Sequence, residues 1–106
     1  MPTPHRPPLA VVRTLRKLGH DLKEARIKRR LPAEVVANRA FTSRPTLQRV
    51  EAGDPGVGMG IYASVMHALG LLEHLASVAD PAKDTVGLAL TSESLPKAAR
   101  PKRREP

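Results

Sequence analysis

Two planar hydrogen-bonding side chains stand four residues apart in the segment Thr42-Ser43-Arg44-Pro45-Thr46-Leu47-Gln48-Arg49. The Arg44 guanidinium presents paired donors, and the Gln48 carboxamide presents a donor beside an acceptor. On a helix, residues at that spacing share a face. A guanidinium can pair with O6 and N7 of guanine, and a carboxamide with N6 and N7 of adenine. Each has a second reading, Arg44 as a phosphate contact and Gln48 as a solvated polar residue. Thr42 and Ser43 suit phosphate, and Thr46 suits phosphate or a thymine methyl. Arg39 and Arg49 fit phosphate better than bases.

The elements around this segment follow from apolar spacing. Val11 or Val12, Leu15, Leu18, Leu22 and Ala25 recur at helical intervals through 9–30. Gly19 interrupts them, so this helix starts late or runs in two pieces. Pro32 marks a boundary, and a short second helix covers 33–40 with Val36, Ala37 and Ala40 on one face. A small residue at 37 lets the next helix cross closely. Thr42-Ser43 forms a turn, with Ser43 as cap and Pro45 tolerated in the first turn of the third helix. Leu47 and Val50 face inward, and Gly53 ends the helix. After the breaker-rich Asp54-Pro55-Gly56-Val57-Gly58, a fourth helix carries Ile61, Val65 and Leu69, and Gly70 ends it. A fifth covers 71–78, with Leu71, Leu72, Leu75 and Val78 as its stripe. Residues 86–91 fit either a short strand or a loose helix.

Composition narrows the class. Of 106 residues only Phe41 and Tyr62 are aromatic, so Leu, Val, Ala, Ile and Met must build the core, which suits packed helices. The expected fold is all-α. With no cysteine, disulfides and thiolate metal sites are excluded. His67 and His74, seven apart, lack further ligands and read as surface or helix-end residues. No Ser/His/Asp cluster, phosphate loop or paired-carboxylate pattern is present, so neither an enzyme nor a cofactor is expected. No apolar run reaches the length of a membrane span and no signal-peptide core is seen, so the expected compartment is the cytoplasm.

The net charge of +8 is unevenly spread. Residues 9–53 carry eleven Lys/Arg against four Asp/Glu, 54–95 carry one Lys against five acids, and 96–106 carry five basic residues against one acid. One half is therefore suited to facing phosphate and the other to a different partner. Prolines crowd both ends, so 1–8 reads as a disordered arm and 96–106 as a basic disordered tail, with 81–95 a C-terminal extension. The tail suits DNA phosphates, an acidic partner or plain solubility.

The stretch from Leu31 to Gly53 resembles the helix-turn-helix of the Xre family of phage-repressor-like regulators. The likeness is carried by Val36-Ala37, Ser43-Arg44, Thr46-Leu47, Glu51 and Gly53. It continues through Gly53-Asp54-Pro55-Gly56-Val57, Gly60-Ile61-Tyr62-Ala63, Leu69-Gly70-Leu71-Leu72, Asp80-Pro81, Asp84, Gly87 and Leu95-Pro96-Lys97. That longer pattern, over about 18–100, is similar to HipB-like antitoxins; stand-alone regulators share the same domain.

The resemblance implies a five-helix domain over 9–80 that docks its third helix in the major groove. It implies a homodimer on a two-half-site operator, a repressor of its own operon, and a HipA-like toxin kinase as partner. Leu71, Leu72, Leu75 and Val78 are then the candidate dimer seam, with plain core as the alternative. In similar domains an Arg of helix 1 pairs with the Glu at the end of the recognition helix, here Arg26 and Glu51. Two residues depart from the pattern. Phe41 stands where Gly is common, at a turn position favouring positive φ, so either the turn is re-formed or Phe41 plugs the core. Ala33 stands where Gln is common, so its phosphate contact is lost or passes to Arg30 or Arg39.

Overall fold

The computed structural model describes residues 6–98, and the side chains among them through residue 93. The chain divides into two compact units, Met1–Glu73 and His74–Pro106. The described residues form helices α1 (Leu9–Lys28), α2 (Ala33–Arg39), α3 (Arg44–Glu51), α4 (Met59–Ala68), α5 (Leu72–Ala76) and α6 (Thr85–Ala98), with a 3-10 turn at Pro81–Lys83 before α6. Among the described residues there is no strand.

The core of the first unit comes from all four of its long elements. Leu22 of α1, Val36 and Ala37 of α2, Leu47 and Val50 of α3, and Tyr62, Val65 and Met66 of α4 are buried, together with Ala40, Val57 and Leu69. Helix α3 lies against α1, α2 and α4. Ala37 is 2 % exposed, the small residue that a close α2–α3 crossing requires. On α4 the buried face is Tyr62, Val65, Met66 and Leu69, whereas Ile61 is half-buried. The expected stripe therefore rotates toward the bulkier Tyr62 and Met66.

Gly19 does not interrupt α1, which runs unbroken from Leu9 to Lys28. Glycine is there because α1 presses on the end of α3. A Cβ at position 19 would lie 2.5 Å from the Val50 carbonyl oxygen and 2.6 Å from the Gly53 nitrogen. The contact is reciprocal, since a Cβ at Gly53 would run into the backbone of Leu15 and Arg16.

Helices α1 to α4 all end in the same way. A residue of positive φ follows each C-cap: Arg30 (55°), Phe41 (55°), Gly53 (75°) and Gly70 (78°). The amide after each donates back into the last turn: Leu31 to Arg26, Thr42 to Ala37, Asp54 to Arg49 and Leu71 to Met66, at 2.8–3.2 Å. Each is a Schellman closure that satisfies otherwise orphaned carbonyls. Two use glycine, and two hold a bulky side chain in the left-handed region at a steric cost.

Two expectations need correction and one open alternative is resolved. The fifth helix is shorter than 71–78, because Leu71 is taken up in closing α4 and a turn bond from the Val78 amide to the Leu75 carbonyl follows Ala76. The five helices expected over 9–80 are α1 to α5, and residues 86–91, open between strand and helix, are helical within α6, a sixth α-helix in the C-terminal extension. Asp84 explains the start of α6, accepting at Oδ1 from the Gly87 amide at 3.0 Å, a cap that favours helix over strand. Finally, α6 runs on through Pro96 to Ala98, so the expected tail begins as helix; 99–106 lie outside the described residues, as do 1–5 of the expected arm. In the second unit, none of residues 74–93 is buried.

A methyl at position 19 has no space without separating α1 from α3. Gly19→Ala is expected to lower stability by about 3 kcal/mol, read from the midpoint of urea unfolding.

Candidate nucleic-acid interface

Ser43 starts the recognition segment. Its backbone is extended and its Oγ accepts from the Thr46 amide at 3.2 Å. The same hydroxyl donates to Thr46 Oγ1 at 2.9 Å, so Ser43 and Thr46 spend part of their hydrogen-bonding capacity on the helix start. Pro45 occupies the first turn, where a missing N–H loses nothing. Arg44 is thereby fixed as the first helical residue.

From that start the helix sorts its side chains by face. Leu47 and Val50 are fully buried, while Arg44, Gln48 and Arg49 are exposed. The side chains of Arg44 and Gln48, one turn apart, make no hydrogen bond or ion pair with any described residue. Arg39, at the end of α2, is likewise exposed and unpaired among the described residues; Thr42 is half-buried. Thr42, Ser43, Arg44, Thr46 and Gln48 therefore lie on one continuous segment, with Arg39 just before it. Ala33 is half-buried and offers no polar group.

The inner face is held by a fork. Arg26 Nε donates to Glu51 Oε2 at 2.8 Å and Nη2 to Oε1 at 3.2 Å, while Nη1 donates to the Leu31 carbonyl at 3.2 Å. The two side chains are 14 % and 9 % exposed. One arginine thus ties α1, the loop after it and the last turn of α3 together. Such a pair stabilises only while both members are present, because either alone is a charge without water or partner.

A second cluster, absent from the sequence reading, fixes Arg49. Its Nε donates to Asp54 Oδ2 at 2.7 Å, and Asp54 Oδ1 accepts from the Gly56 amide at 2.7 Å. The Asp54 carbonyl accepts from the buried Tyr62 hydroxyl at 2.8 Å. Asp54 therefore joins α3, the loop after it and α4, and turns Arg49 toward the C-terminal end of the helix. The sequence signal was an acid just past the closing glycine, within reach of the last-turn arginine. The Arg49 hydrogen bond and the Gly56 amide hold the Asp54 carboxyl below its ordinary range, whereas burial pushes the Tyr62 phenol up.

Residues of the candidate dimer seam are spread over different elements. Leu72 and Leu75 are in α5, Leu71 precedes it and Val78 follows it, with Val78 75 % exposed. His67 and His74 are exposed. Among the described residues no three His, Asp or Glu side chains gather to hold a metal ion, and no helix is long and apolar enough to cross a membrane.

Compared with known proteins, residues 17–78 match the model of a family described as a helix-turn-helix domain. The chain belongs to this family. No curated protein and no solved structure matches it. The helix-turn-helix match takes in α3 together with Gly19, Arg26, Asp54 and Tyr62, which brace it. It makes the protein a helix-turn-helix regulator of the DNA-binding kind, and α2 and α3 lie within the matched residues. Phe41 sits at their junction, and both alternatives raised for it fail. The turn keeps a φ of 55° there, and the ring is 96 % exposed.

Two outcomes test the bracing. Glu51→Ala leaves Arg26 unpaired and is expected to cost about 3 kcal/mol, measured by urea unfolding. Because the Asp54 pKa is lowered on folding, its stabilisation is full above the ordinary carboxylate range and is lost as pH falls through the depressed value. Asp54→Asn should remove that part of the acid sensitivity, seen as a smaller drop in melting temperature between neutral and acid pH.

Proposed function

We propose that the protein is a sequence-specific DNA-binding transcriptional repressor that reads its operator with α3. One observation carries this reading. Arg44 and Gln48 stand unpaired on the exposed face of a helix whose opposite face is buried and clamped by Arg26 and Glu51. A fork-shaped donor and a carboxamide held in fixed register are what base-edge recognition needs. Arg39, Thr42, Ser43 and Thr46 then serve the phosphates beside it, while Arg49, expected there from the sequence, is engaged by Asp54. In this reading the protein works in the cytoplasm as a homodimer on half-sites about one helical turn apart, with no catalytic activity and no cofactor.

The likeness to HipB-like antitoxins over about 18–100 supports a more specific role, in which the protein represses its own operon and sequesters a HipA-like kinase. The acidic stretch 54–95 and the basic C-terminal tail are the segments suited to that partner. A second reading, a stand-alone regulator without a toxin, rests on the helix-turn-helix domain alone, matched over residues 17–78. Co-expression with a kinase-like protein encoded beside it separates the two. Stable co-purification with loss of kinase toxicity supports the antitoxin, and independent elution with toxicity intact supports the stand-alone regulator.

Binding to a duplex selected by the full-length protein from a random-sequence pool tests the main reading. Arg44→Ala is expected to weaken it by about 1–3 kcal/mol and relax preference at one base pair, whereas Arg39→Ala should weaken all sequences alike and flatten the salt dependence. Equal binding of selected and scrambled duplexes by the unaltered protein would contradict it.

A further inference from the structure

Phe41 stands apart from the other apolar residues of its unit. Its ring is the most exposed large hydrophobic group of the described chain, and its backbone is held at a φ of 55°. Folding accounts for neither feature. The closure of α2 uses only backbone groups, the Phe41 amide donating to Asn38 and the Thr42 amide to Ala37. Gly53 and Gly70 close α3 and α4 in the same way, and glycine adopts that conformation without strain. The benzyl group therefore adds strain to the turn and gives nothing back to the core.

Its neighbours indicate what the ring faces. Arg39 lies two residues before it and Arg44 three residues after it, both exposed and unpaired among the described residues. A ring between free cations suits a polyanion better than an apolar protein surface. When a helix-turn-helix docks, the first helix crosses the backbone and the start of the second enters the major groove, so the residue joining them reaches the groove edge. The apolar group that DNA offers there is the C5-methyl of thymine.

We propose that Phe41 is a DNA-contacting, specificity-determining residue that packs its ring on a thymine methyl beside the base pair read by Arg44. This inference rests on the reading of α3 as the DNA-reading helix.

The test uses the full chain and the duplex it selects from a random pool. Phe41→Gly and Phe41→Asn both suit the left-handed region, so both should fold, and the glycine variant should melt at a higher temperature. Each is expected to bind the duplex about fourfold more weakly, the worth of one buried methyl. Replacing thymines singly by uracil, which lacks that methyl, should weaken the unaltered protein about fourfold at one position. The same replacement should leave Phe41→Gly unaffected there. Unchanged affinity of both variants, or an equal uracil penalty with and without the ring, overturns the proposal. Arg44→Ala measured alongside separates the two levels. If it loses binding while the Phe41 variants do not, only the role of Phe41 fails; if it binds normally, the reading of α3 fails as well.

Discussion

Where α1 crosses the end of α3, the two backbones come closer than a Cβ on either would permit. Gly19 faces the Val50 carbonyl and the Gly53 nitrogen, and Gly53 faces the backbone of Leu15 and Arg16. This approach allows Arg26, two turns further along α1, to reach Glu51 with both donors of one guanidinium edge, Nε and Nη2. Glycine gives the distance and the fork gives the register. With the end of α3 fixed in this way and Leu47 and Val50 buried, the rotation of the helix about its own axis is determined. The exposure of Arg44 and Gln48 follows from that rotation.

The cations of this half of the molecule then divide by use. Arg26 is consumed internally, and Arg49 is turned aside by Asp54, whose carbonyl is in turn held by Tyr62. The surface pairs Lys17–Asp21 and Lys28–Glu24 are well exposed and contribute little to stability. Around the α2–α3 junction, Arg39 and Arg44 remain uncommitted among the described residues. A single residue type is thus used for bracing and for an outward charge, and a carboxylate within reach decides between the two roles.

Much of this was readable from the chain itself. Apolar spacing located α1 to α4, and Ser43, Pro45 and Gly53 marked the ends of α3 because caps and closing glycines act locally. What escaped the sequence depends on contacts between distant residues. Gly19 read as a break because its partners lie more than thirty positions away. Tyr62 joined the core in place of Ile61 because the rotation of α4 is set by the helices it packs on. The helical state of 86–91 turned on the Asp84 cap, which composition alone did not weigh. Phe41 is different in kind: the positive φ that the pattern favours is kept, and the residue adopts it at the expense of strain, neither re-forming the turn nor entering the core.

The central claim is that α3 meets DNA with Arg44 and Gln48 while Arg26 and Glu51 hold it in place. Side-chain 15N NMR during titration with the selected duplex tests this directly. The Arg44 Nε and Gln48 Nε2 signals should move strongly, and the Arg26 Nε signal should stay, with a scrambled duplex giving only weak, diffuse changes. Binding that leaves the Arg44 and Gln48 signals unmoved, or that shifts them equally with the scrambled duplex, would contradict the account.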